Sequence, residues 1–130
     1  MIEIALKKIE NGKAAGDDGC INEILKQGGE EMVNSLVILF RKIWKEEKIP
    51  VDWARGVIVP IFKDGERKNV DNYRGITLLS VVGKLYTSII NSRISSWLEK
   101  NKKLVEEQAG FRAKRSIRTN FYFKRNNSRT

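Results

Sequence analysis

Residues 56–65 read GVIVPIFKDG, and residues 72–79 read NYRGITLL. The first stretch is short, rich in β-branched residues and closed by a glycine at each end, which predicts a strand. Pro60 has no N–H to donate and so belongs at a sheet edge or a bulge. The second stretch predicts a partner strand. The polar loop Asp64–Asp71 between them predicts a hairpin built from about residues 57–63 and 73–79. Alternation puts Lys63 on the face of Ile61 and Arg74 on the face of Ile76. With antiparallel pairing, both cations lie near the loop end. Burying either charge unpaired would be costly, so Arg74 needs something to hold.

Helical periodicity flanks this hairpin on both sides. IEIALKKIE places Ile2, Leu6 and Ile9 on one face and stops at Asn11-Gly12. The small-residue loop KAAGDDGC follows, with Asp17 or Asp18 available to cap the next helix. INEILKQGG predicts a short helix ending at Gly28-Gly29. A longer helix runs from about Glu30 to Lys48, with Val33, Leu36, Val37, Phe40, Ile43 and Trp44 as its apolar stripe. Its acids lie in the first turn and its lysines in the last, the favourable sense for the helix dipole. Pro50 ends it. After the hairpin, Ser80 caps a helix over about 80–99, with Val82, Leu85, Tyr86, Ile89, Ile90, Ile94, Trp97 and Leu98 at three- and four-residue intervals. IRTNFYFKRNN is compatible with either a helix or a strand.

Composition narrows the chemistry. The 130 residues suffice for one domain, with 41% hydrophobic and 32% charged residues. One cysteine and no histidine leave no intrachain disulfide, no ordinary zinc site and no histidine-based acid–base or nucleophilic catalysis. No apolar run is long enough to span a bilayer and the N-terminus has no signal-peptide core, so the expectation is an intracellular product, cytoplasmic or nuclear, without a membrane partner. The net charge of +9 is unevenly placed: residues 1–100 contribute +2 and residues 101–130 contribute +7. From Gln108 onward there are seven Lys/Arg and no acid. A block of one sign points to a polyanion, with nucleic acid (RNA or single-stranded DNA) first and an anionic membrane second.

Four segments, taken in order, resemble successive blocks of one family: NGKAAGDDGCINEILKQGGEE (11–31), IPVDWARGVIVPIFKDGE (49–66), NYRGITLLSVVGKLYTSIINSRI (72–94) and QAGFRAKRS (108–116). The family is the reverse transcriptases of non-LTR, LINE-type retrotransposons, with jockey-like and RTE-like elements nearest in character. The resemblance runs from about Ile4 to Asn120. It implies a partial reverse transcriptase domain over residues 1–120, the fingers region of a right-hand polymerase fold, with a basic and poorly ordered end over 121–130. The fold class expected is α+β, mainly helical with one hairpin.

In the family, a lysine after the first hairpin strand and an arginine on the second contact the triphosphate of the incoming nucleotide. Lys63 and Arg74 match those positions, which would give Arg74 something to hold, since a planar fork suits phosphate oxygens. The block around Gly110 and Phe111 would bring Arg112, Lys114 and Arg115 to the template backbone. It departs from the family pattern at Ile117 and Thr119.

Family polymerases join nucleotides with two Mg2+ ions clamped by carboxylates that lie after this block. Here the last aspartate is Asp71 and the last acid Glu107. Asp17 and Asp18 match a structural turn of the family rather than the catalytic pair. The expectation is therefore a chain truncated before the palm, with no catalytic or metal-binding residue and no cofactor of its own, inactive alone. A residual nucleic-acid-binding module, binding weakly and without sequence preference, and the non-functional product of a decayed element are the alternatives. Leu78, Leu79, Phe121 and Tyr122 are expected to be partly exposed where the palm would cover them.

Overall fold

The computed structural model describes residues 1–105, 108, 110 and 112. Its elements are α1 (Ile2–Lys8), α2 (Asn22–Gln27), α3 (Gly29–Glu46), β1 (Val57–Phe62), β2 (Tyr73–Leu78) and α4 (Val81–Lys100), with short 3-10 turns at Val51–Ala54 and Val70–Asn72. The chain divides into two units, Met1–Ile89 and Ile90–Thr130.

The first unit is held by Leu6 of α1, Leu25 of α2, Leu36 and Phe40 of α3, and Val81 and Leu85 of α4. Leu85 is 1% exposed. Phe40, Trp53 and Tyr86 meet in a ring cluster, with centroids 5.1 to 6.4 Å apart. Gly83 allows the Trp53 ring to lie on α4, since a Cβ there would come within 3.1 Å of it. Side chains tie the turn after α1: Asn22 Nδ2 donates to Glu10 O at 2.7 Å, and Lys26 Nζ donates to Ile9 O at 2.9 Å. Gly28 separates α2 from α3, and Gly29 opens α3 at φ +61.

Trp44 departs from the expected stripe. Leu36, Phe40 and Ile43 are buried, but Trp44 is 68% exposed. Each four-residue step on a helix overshoots a full turn by about 40°, so the step from Phe40 carries Trp44 to the edge of the buried face. In the second unit Ile94 and Trp97 are also exposed, so the α4 stripe is buried only along its N-terminal half. The α2 N-cap is Ile21 without a side-chain bond, so neither Asp17 nor Asp18 caps that helix.

β1 and β2 pair antiparallel, with Val57 opposite Leu78, Ile61 opposite Arg74 and Phe62 opposite Tyr73. Lys63 N–H donates to Asn72 O at 2.8 Å. Backbone direction alternates, so the position of Pro60 points away from β2, and its missing N–H costs no ladder bond. Ser80 closes the hairpin onto α4: its carbonyl accepts from Lys84 N–H at 3.0 Å, and its Oγ makes a long 3.5 Å contact with Gly83 N–H.

Candidate phosphate site on the hairpin

The register decides which side chains share a face. Ile61 stands opposite Arg74, and Lys63 lies two residues beyond Ile61. Lys63, Arg74, Ile61 and Ile76 therefore occupy one face, with the two cations on diagonal positions about 7–8 Å apart at their Cα atoms. Both cations are exposed. Neither side chain makes a hydrogen bond or ion pair with any described residue. Arg74 thus enters a strand without a desolvation penalty, because its strand face is open to water. Two uncompensated cations, one a fork and one a point charge, can engage adjacent phosphate oxygens of a polyphosphate.

The opposite face of the same hairpin end is aromatic. Phe62 and Tyr73 meet edge to face at 5.5 Å, and the Arg67 guanidinium lies 5.3 Å over the Phe62 ring. That placement holds the Arg67 charge on the side away from Lys63 and Arg74.

The aspartates at 17 and 18 form a turn. Gly19 N–H donates to Gly16 O at 3.1 Å, and Asp18 Oδ1 accepts from Cys20 N–H at 3.1 Å. Among the described residues no group of three or more His, Cys, Asp or Glu side chains could hold a metal ion. The Mg2+ of the family enzymes therefore finds no fitting donor set among these residues. Burial, and next the charge of Asp18, push the Cys20 thiol above its ordinary pKa.

Arg112, in the second unit, is engaged. Its Nε and Nη2 donate to the two Glu99 carboxylate oxygens at 2.8 and 3.0 Å, and its Nη1 donates to the carbonyls of Val105 and Gln108. Its side chain is 6% exposed. Lys114, Arg115, Phe121 and Tyr122 lie outside the described residues. Leu78 is half-buried and Leu79 is exposed.

No protein-family model matches the chain. Its homologues are RNA-directed DNA polymerases of non-LTR, LINE-type transposons. It is similar to the probable RNA-directed DNA polymerase from transposon X-element of Drosophila melanogaster, 33% identical over 104 residues, which is 79% of this chain. It is also similar to the probable RNA-directed DNA polymerase from transposon BS of the same organism, 28% identical over 83% of the chain. The RNA-directed DNA polymerase from mobile element jockey, again of D. melanogaster, is 27% identical over 82% of it. The chain spans only 12% of the length of each.

Proposed function

We propose that this chain is the fingers region of a non-LTR retrotransposon reverse transcriptase, and that Lys63 and Arg74 bind the triphosphate of the incoming nucleotide. The observation that carries the reading is the hairpin register, which brings two exposed, unpaired cations onto one face at the loop end. Lys63 neutralises charge, and the Arg74 fork fixes orientation by paired N–H donation to phosphate oxygens. The wider basic segment meets the template backbone. Lys114 and Arg115 carry that contact, while the Glu99 carboxylate holds Arg112 out of it.

The test is calorimetric titration of the chain with a deoxynucleoside triphosphate at low salt. Charge-assisted hydrogen bonds contribute about 1.5–3 kcal/mol each, so Arg74→Ala should weaken binding by roughly tenfold or more. Lys63→Ala should act in the same direction. Equal binding by both variants and the parent would overturn the assignment.

A further inference from the structure

The two cations sit at the mouth of a loop whose fixed points converge on one uncharged residue. Asn72 stands opposite Lys63, two positions before Arg74. Its carbonyl accepts Lys63 N–H at 2.8 Å, and its own N–H donates to Asn69 O at 3.2 Å. Its side-chain Nδ2 donates to Glu66 O at 2.9 Å, reaching back across the loop. Gly65 makes room for that reach. It adopts φ +85, and a Cβ there would come within 2.7 Å of Asn72 Nδ2. On the other face Tyr73 Oη donates to Arg67 O at 3.1 Å. The loop is thus pinned from both sides, by an amide beside the cations and by aromatic rings behind them.

We infer that Gly65 and Asn72 are a positioning pair, which sets the separation of Lys63 from Arg74 and so tunes the hairpin for a polyphosphate. This rests on the reading that the two cations hold a triphosphate. The Asn72 amide is turned into the loop, with one Nδ2 hydrogen on Glu66 O, so its part is to hold the loop and not to carry charge. Its contribution is to remove loop freedom before the ligand arrives. A site whose two cations are already spaced loses less entropy on binding than one whose lysine must be ordered by the ligand. The loop carries hydrogen bonds that do not touch Lys63 as well, such as Asp71 N–H to Asn69 Oδ1 at 3.0 Å, and these supply a control.

The experiment titrates inorganic tripolyphosphate, and in parallel a deoxynucleoside triphosphate, into the parent chain and five variants: Arg74→Ala, Asn72→Ala, Gly65→Ala, the Gly65/Asn72 double and Asn69→Ala. Melting curves are recorded for each. Asn72→Ala and Gly65→Ala should each weaken both ligands by about 2- to 10-fold, the worth of one neutral hydrogen bond. The double variant should be no worse than the weaker single, because both break one latch. Asn69→Ala should bind as the parent does. A general loss of stability would lower affinity additively and would include Asn69→Ala, so non-additivity separates positioning from plain destabilisation. Gly65→Ala leaves the Asn72 amide in the chain, so it decides the matter if Asn72→Ala melts the hairpin. Unchanged binding by Arg74→Ala removes the triphosphate reading itself. Loss in Arg74→Ala with parental binding by Gly65→Ala and Asn72→Ala overturns the positioning role alone.

Discussion

Gly16→Ala tests whether the GDDG turn is a structural piece of the fold. An alanine Cβ at position 16 would come 2.6 Å from Leu79 C, 2.7 Å from Leu79 O and 2.7 Å from Ser80 N. All three are backbone atoms, so no rotamer change relieves the contact. They belong to the junction between β2 and α4, where Ser80 is 2% exposed. Replacing glycine with alanine in a compatible conformation stabilises by about 0.4–1 kcal/mol through the unfolded chain. Overpacking costs about 1–3 kcal/mol, and contacts this short against rigid atoms place the cost towards the upper end. The net is a loss of roughly 1–2 kcal/mol. For a unit of this size each kcal/mol lowers the melting temperature by about 4–8 °C, so a fall of roughly 5–15 °C is expected in a circular-dichroism melt. Gly75→Ala is the companion measurement. Its Cβ would meet only the Ile58 Cγ2 methyl, at 3.2 Å, and a strand-interior alanine costs less backbone entropy than glycine. It should melt at or above the parent. A Gly16→Ala chain that melts no lower than the parent would refute the packing of the GDDG turn on the β2–α4 junction.

Leu85→Ala should cost about 2–5 kcal/mol, read from a urea transition, because the side chain is fully enclosed and the core around it is shared by four helices. Cys20 should be alkylated by iodoacetamide more slowly in the native chain than in urea, since burial disfavours the reactive thiolate. Its raised pKa also gives a sign for stability. The contribution is complete below the unfolded thiol pKa and is lost as pH rises through the folded one, so alkaline melts should show it. Glu99→Ala, which removes the carboxylate that matches the Arg112 charge, should steepen the salt dependence of single-stranded RNA binding by up to about 0.7 in log affinity per log salt, one phosphate contact. Arg112→Ala should leave that slope close to the parent value, because its charge is already matched.

What the sequence reveals and what it hides divide along one physical line. Periodic signals carry. The β-branched run and the polar loop specify the hairpin. Alternation puts Lys63 with Ile61 and Arg74 with Ile76, the register then brings both onto one face, and Pro60 falls where a strand needs no N–H. The α3 stripe is also periodic, yet periodicity gives only the direction of a face and not how far burial extends around it. Trp44 marks that edge in α3, and Ile94 and Trp97 mark it along α4.

Polar side chains that bridge loops leave no such trace. Asn22 reaching Glu10, Asn72 reaching Glu66 and Arg112 reaching Glu99 span 12, 6 and 13 residues with no repeat to announce them. Arg112 shows why this matters for function. A charge count from Gln108 onward treats every cation as available to a polyanion. Two of the Arg112 nitrogens face a carboxylate and a third faces carbonyl oxygens, so this charge is neutralised before any ligand arrives. Lys63 and Arg74 differ in the opposite sense. They lie in a segment whose acids, Asp64, Glu66 and Asp71, are close in sequence, and a composition window would score the region as nearly balanced. The fold keeps those carboxylates out of ion-pair reach of either cation. Electrostatic availability is therefore a property of the folded loop, and in this chain it favours the hairpin pair over Arg112.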